Sequence, residues 1–219
     1  MLSDKILYNL NQIKDNIIGK KVFIFDLETT GLFDKKLFYK YWDNTVFDSS
    51  RIIEIGYYYS ENFGLDFESN NIIHSYLRKP TDFNTMHPKA IEKHGISIEK
   101  LKSDGFTFSR ILNHDLINKL NLCDIIISHN TLFDYYILLN ELNRFKLKQT
   151  IKYLLDIKTN NNLICTCRAS GYKKLDFLYR SIFDEEPKIS HRAGEDVLTL
   201  LEIIMKEKIN LTYRLTINN

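Results

Sequence analysis

Cysteine is scarce in this chain of 219 residues: Cys123, Cys165 and Cys167 are the three thiols. An odd number without paired spacing excludes a disulfide-stapled secreted fold and suits a reducing compartment. Cys165-Thr166-Cys167 has no second Cys/His pair to complete a tetrahedral zinc site, so zinc is set aside. A dominant charge is lacking too. Thirty Lys and Arg against 28 Asp and Glu leave a formal charge of +2, so any polyanion must be met by a local patch rather than by the overall field. No run approaches the ~20 apolar residues of a membrane span, and Met1-Leu2-Ser3-Asp4-Lys5 lacks the apolar core of a secretory signal. The expectation is a soluble, intracellular protein with no membrane partner. Without secretion, the sequon Asn210-Leu211-Thr212 carries no meaning. There is neither an internal repeat nor a low-complexity linker, and a 44% hydrophobic composition suffices for one core, so a single domain over 1–219 is expected.

What the chain does have is concentrated in Val22 to Leu32, VFIFDLETTGL. It reads as a buried strand carrying two carboxylates, and buried charges are paired or bind metal. Strand alternation puts Asp26 and Glu28 on one face, about 6–7 Å apart, with Phe23, Phe25 and Leu27 on the other. Two acids on one face can share divalent cations. Thr29-Thr30-Gly31 then ends the strand, with Gly31 free to take a positive φ and bring backbone close to a ligand.

In chain order, Ser3 to Ile18 reads as an amphipathic helix stopped by Gly19, a helical extension over 1–20. Strands follow at Lys21–Glu28, Arg51–Tyr59 and Ile72–Arg78. Their connections lack a crossover helix, so the three form an antiparallel meander. Pro88 and Gly95 bracket a short helix. Phe108 to Leu120 reads as a longer helix, Cys123 to Ser128 as a strand running directly into a helix from about Thr131 to Phe145. Thr150 to Asp156 is weakly helical, Leu163–Cys165 another strand, and Leu175–Phe183 and the stretch from Ala193 are helices. Strand, tight turn and helix indicate α/β construction. The tail over 209–219 is polar and expected to fray.

Two further acid sites stand out. Asp134 falls in the first turn of the helix after His129-Asn130. Asp196 falls in the first turn of the last helix, shortly after His191. On a continuous helix, residues five apart diverge by about 140°, so His191 meets Asp196 only from the preceding loop. Acids that hold ions beside an imidazole of near-neutral pKa suit hydrolysis.

Phe25-Asp26-Leu27-Glu28-Thr29-Thr30-Gly31-Leu32, then His129-Asn130 with Phe133-Asp134, then His191-Arg192-Ala193 with Asp196, resemble in order the three motifs of the DEDDh 3′→5′ exonucleases. These form the DnaQ-like branch of the ribonuclease H-like fold. Arg51 to Gly56 and Pro88 to Ile96 resemble intervening family segments, and the likeness covers about 21–206. Three ordered motifs are far more specific than one. Arg192, where the tyrosine variant of the family would want Tyr, favours His191.

The resemblance implies a mixed central sheet, antiparallel strands one to three plus parallel strands, flanked by helices. It implies two Mg²⁺ or Mn²⁺ ions: Asp26, Glu28 and Asp196 around the ion that activates water, Asp26 bridging to a second, and Asp134 on that second. His191 would be the general base. Thr29, Thr30 and Leu32 would meet the terminal nucleotide, with Asn130 and Phe133 shaping its pocket. The substrate would be single-stranded DNA or RNA 3′ ends, releasing nucleoside 5′-monophosphates, with a polymerase or another nucleic-acid-processing protein as a further partner. The alternative is a non-catalytic nucleic-acid- or polymerase-binding module that keeps the fold, although a binder gains little from buried like charges.

Simpler readings stand beside these. Thr131 and Asp134 also fit a helix capping box, Asp196 also suits a helix N-terminus, and His129 reads as scaffold. Glu54 is either a ribose contact or a satisfied edge residue. Cys165-Thr166 stands where many relatives have Asp-Thr, outside the four acids. The larger departure is the basic, aromatic insertion over 33–50, with Lys35, Lys36, Lys40, Phe38, Tyr39, Tyr41 and Trp42. Cations among flat rings can track a single strand, or the segment forms a local core over strand one. In the first case, deleting Lys35 to Thr45 weakens oligonucleotide binding and leaves the melting temperature nearly unchanged.

Overall fold

In the computed structural model the described residues are 4–34, 36–37, 39–65, 72–187, 191–206 and 212–214. Ser3, Lys35, Phe38, Ser190 and most of the polar tail lie outside them. The strands are β1 (Val22–Thr29), β2 (Ile52–Ser60), β3 (Ile72–Leu77), β4 (Ile125–Ser128), β5 (Leu163–Cys165) and β6 (Thr212–Arg214). They form one sheet in the order β5-β4-β1-β2-β3-β6. β1 pairs antiparallel with β2, and β2 with β3. β4 pairs parallel with β1 and with β5. β6 pairs parallel with β3, a correction to the frayed tail: part of that segment covers the open edge of β3. The sheet thus changes sense at β1, and groups at the carboxyl ends of its strands meet beside that switch.

Helices α1 (Asp4–Ile17), α2 (Asn44–Phe47), α3 (Pro88–His94) and α4 (Ile98–Asp104) precede a helical run. In that run α5 (Phe108–Ile111) passes through a π-helical stretch, Leu112–Leu116, into α6 (Ile117–Leu122). The extra residue in this turn is why the uniform period expected over Phe108–Leu120 slips. Then come α7 (Thr131–Arg144), α8 (Lys148–Thr159), α9 (Thr166–Ala169), α10 (Leu175–Phe183) and α11 (Ala193–Met205).

Strand alternation divides the core. Phe23, Phe25 and Leu27 pack with Tyr57, Leu116, Tyr135, Leu138 and Leu154 on one face. Val22, Ile24, Tyr58 and Ile127 pack with Leu10, Ile17, Leu178, Val197 and Leu201 on the other. Asp26 and Glu28 therefore point to the side of α11.

Beyond the apolar layers lies a buried ionic knot. Glu141 Oε1 on α7 accepts from Arg51 Nε at 2.8 Å and Arg78 Nη1 at 2.6 Å. Arg78 and Glu141 are 0% and 1% exposed. Asp82, before α3, accepts from both arginines, and Arg78 also lies over the Phe108 ring. The knot joins α7, the start of β2, the end of β3 and the segment leading to α3.

The insertion is tied down by α7. Asn140 donates to the Tyr41 carbonyl at 2.8 Å, and Arg144 to the Asn44 carbonyl and to Asp48 at 2.8 and 2.7 Å. Phe33 and Phe47 are buried, and Phe33 stacks on Phe133 with centroids 5.3 Å apart. Tyr39 and Trp42 remain exposed. This geometry favours the local core, so deleting residues 35–45 is expected to lower the melting temperature, the reverse of the expectation for a free binding flap. Glu141→Ala should cost about 3–5 kcal/mol in urea denaturation, because it leaves two buried guanidinium groups with the partly exposed Asp82 as their one remaining carboxylate partner. A loss under about 1 kcal/mol would show that the knot is solvated.

Candidate active site

The site is assembled from the carboxyl end of β1, the start of α7 and the start of α11. β1 carries Asp26 and Glu28, and its register against β2 shifts between Glu28 and Thr29. Such a bulge re-aims the side chains around it. Asn130 bridges β4 and α7 at φ 68°. This left-handed residue makes the turn tight enough for Asp134, one turn into the helix, to face the strand ends. The capping box does not form: Asn130 is the N-cap and makes no side-chain cap bond, while Thr131 is the first helical residue and its hydroxyl donates to the Ser128 and Ile164 carbonyls.

The start of α11 is set by a clamp. Glu54, 1% exposed on β2, accepts two bonds from Arg192 at 3.0 and 2.8 Å, one from the Ala193 N–H at 3.1 Å and one from Ser75 Oγ at 3.0 Å. Glu54 is therefore a satisfied residue of an interior strand rather than an edge residue or a ribose contact. Gly56 makes the approach possible: a Cβ there would stand 2.3 Å from the Ala193 carbonyl carbon. His191 precedes this clamp at φ 61°, in the loop where convergence with Asp196 requires it. Its backbone N–H bonds the Asp196 carboxylate.

Glu28, His191 and Asp196 each offer a ligand atom within 4.8 Å of the others'. Asp26, Glu28, Asp134, Asp196 and His191 line one cavity of about 470 Å³ with Lys93, His129, Asn130, Phe133 and Tyr172. Burial first, then the Asp134, Asp196 and Glu28 charges, pushes Asp26 well above the usual carboxylate range. Asp134 is raised by burial and the Glu28 charge. Burial pushes Glu28 and Asp196 up to about 7, with the Lys93 charge opposing in both cases. Burial and the Lys93 charge lower His191, so its imidazole is neutral near pH 7. Among the described residues none of the four acids forms an ion pair. Four hard carboxyl groups held together without a compensating partner fit divalent cations of the Mg²⁺ or Mn²⁺ type, a donor set poor in the nitrogen and sulfur that zinc prefers.

A second cavity, about 460 Å³, adjoins the first. It is lined by Thr29, Gly31, Leu32, His87, Lys89 and His94, and it shares Leu27, Glu28, Lys93 and Phe133 with its neighbour. Thr29, Leu32 and Phe133 thus reach a cavity wall, and Asn130 lines the first cavity. Thr30 reaches neither: its hydroxyl donates to the Ser49 carbonyl and accepts from the Arg51 N–H. These two bonds fix the loop after β1. Gly31 has no positive φ; a Cβ there would meet the Ser49 carbonyl oxygen at 2.9 Å. His129 is scaffold, bonded to Thr166 Oγ1 and the Lys173 carbonyl. The sequence reading missed Lys93, His87, Lys89 and Tyr172. The basic run Lys89 to His94 carried the only local signal.

Fold and site together define an α/β nuclease of the ribonuclease H-like type. Residues 23–204 match the family model RNase_T, described as Exonuclease, and the chain belongs to that family. No curated protein sequence matches it. Among solved structures it is similar to S. pombe Pop2p in its Mg²⁺- and Mn²⁺-bound form, with 18% identity, TM-score 0.59, and coverage of 94% of this chain and 90% of that one. It is also similar to E. coli exonuclease I, as a zinc-bound complex with single-stranded DNA (15% identity, TM-score 0.57) and as a complex with a dA16 oligonucleotide (14%, 0.58). Both matches cover 86% of this chain, which spans only 40% and 41% of those longer chains.

Carboxyl groups whose folded pKa lies above the unfolded value favour the protonated native state. Their contribution is present below about pH 4 and is lost as pH rises through about 7, the value for Glu28 and Asp196. In EDTA the melting temperature should therefore fall from pH 5 to pH 8. Mg²⁺ should restore more at pH 8 than at pH 5, and Asp26→Asn should flatten the metal-free profile. A metal-free profile already flat over this range would contradict the assembled cluster.

Proposed function

We propose that the protein is a metal-dependent 3′→5′ exonuclease of the DEDDh type, acting on single-stranded nucleic acid and releasing nucleoside 5′-monophosphates. The convergence of Asp26, Glu28, Asp134 and Asp196 with His191 in one cavity carries this reading. Asp26, Glu28 and Asp196 would hold one Mg²⁺ or Mn²⁺, and Asp26 with Asp134 a second. Such a pair, when bound, stabilises charge on the attacking and leaving oxygens of an in-line displacement. The metal-bound state of Pop2p and the single-stranded DNA held by exonuclease I are consistent with this assignment.

The protein's own residues do the rest. His191, neutral near pH 7, accepts the proton of the attacking water. Its left-handed backbone, tied to Asp196 and followed by the Glu54 clamp, sets the reach of the imidazole. The second cavity receives the terminal nucleotide, with Leu32 and Phe133 against its base and Thr29 at its floor. The water oxygen bonds to phosphorus, the P–O3′ bond breaks with its electron pair going to O3′, and that oxygen takes a proton from solvent water, so the shortened strand keeps a 3′-hydroxyl.

Oligonucleotides labelled at the 3′ or the 5′ end, DNA and RNA in parallel, test this directly with Mg²⁺ or Mn²⁺. The expected products are a labelled mononucleotide from the 3′-labelled strand and a descending ladder from the 5′-labelled one. Asp26→Ala and His191→Ala should each lower kcat by at least about 100-fold. Activity surviving both substitutions would sink the site assignment.

A further inference from the structure

Three lysines, Lys93, Lys173 and Lys174, line the cavity that holds the acids and His191, and of these Lys93 alone also lines the second cavity. It sits in the last turn of α3 and lines both cavities. Its charge acts on Asp26, Glu28, Asp134, Asp196 and His191. Yet among the described residues it forms no direct ion pair with any of them. An ammonium facing four carboxyl groups without closing on one is poised for another anion. α3 itself is held firmly: His87 accepts from the Lys89 N–H, Gly95 closes the helix at φ 67°, and the His87 N–H donates to the Thr30 carbonyl at 2.8 Å.

The two cavities share a partition of Leu27, Glu28, Lys93 and Phe133. A strand with its last nucleotide in the second cavity must carry its final phosphodiester across that partition, beside the acids and His191. Of the four shared residues Lys93 alone is cationic. The charge balance points the same way: four carboxylates offset two divalent ions, leaving the phosphate's own negative charge to be met by a lysine. Lysine serves as a point-charge phosphate ligand on a flexible stem.

Building on the exonuclease reading, we infer that Lys93 is a catalytic residue whose ammonium contacts a non-bridging oxygen of the scissile phosphodiester and stabilises the charge that grows there. The water oxygen forms the new P–O bond, the water proton goes to His191, and the P–O3′ bond breaks with its electron pair going to O3′, which takes a proton from solvent water.

The test is a binding cycle in EDTA, where no hydrolysis occurs, with a second readout in Mg²⁺. Fluorescence anisotropy compares wild type, Lys93→Met and Lys93→Arg on two single-stranded oligonucleotides. One carries a normal 3′-terminal phosphodiester and the other a neutral methylphosphonate at that linkage. The expected result is that Lys93→Met weakens binding of the first about tenfold and of the second hardly at all. The slope of log K against log salt should fall by about 0.7 for the first probe only. Lys93→Arg should recover most of the loss, and in Mg²⁺ Lys93→Met should lower kcat about 100-fold. Equal effects of Lys93→Met on the two probes, or none on either, would overturn the proposal and leave Lys93 as a counter-ion for the acids. If the wild type cleaves neither DNA nor RNA, the exonuclease reading fails, while the EDTA cycle still decides Lys93.

Discussion

Four carboxyl groups drawn to one place repel one another, and the architecture is built to hold them there. Burial raises each of them above its ordinary range before their mutual charge is added. The fold withstands that strain by anchoring the four acids to three rigid elements: Asp26 and Glu28 on the central strand β1, Asp134 in the first turn of α7 and Asp196 in the first turn of α11. Each anchor has its own support. β1 is sandwiched between two apolar layers, α7 is locked to β2 and β3 through Glu141, and α11 is pinned by Glu54. The cluster remains costly without cations, which is the property expected of a site whose ligands must stay unpaired until ions arrive.

Two ionic devices divide the labour. The Glu54–Arg192 clamp stands directly opposite Glu28 in the β1–β2 register. It thereby neutralises a like charge that would otherwise face the cluster across the ladder. The Arg51–Arg78–Glu141–Asp82 knot lies farther out and ties the segment before α3 to the body of the protein. It thus helps position the wall that carries Lys93 and His94. Neither device touches a cavity wall through its carboxylates, yet both determine where those walls stand.

Much of this was legible along the chain. The alternation of Phe23, Phe25 and Leu27 against Asp26 and Glu28, the β-branched runs of β2 and β4, and the Pro88 and Gly95 brackets of α3 each encode their element locally. Other features have no local signature. The slip into a π-turn at Leu112–Leu116 and the pairing of Thr212–Arg214 with β3 depend on partners far away in sequence. The hydroxyl of Thr30 looks available in the motif, yet Ser49 and Arg51 consume it once the insertion folds back.

By itself, the sequence determined the antiparallel meander, the α/β construction after it, and the identity and order of the acids with His191, because periodicity and motif spacing are short-range properties. Only the tertiary structure decided which groups share the cavity, that Glu54 faces Arg192 rather than a ligand, and that Lys93 stands among the acids. The physical reason is that burial and charge–charge contact are set by packing between elements. Lys93 reaches the cluster only because α3 folds across the end of β1, more than 60 residues away along the chain.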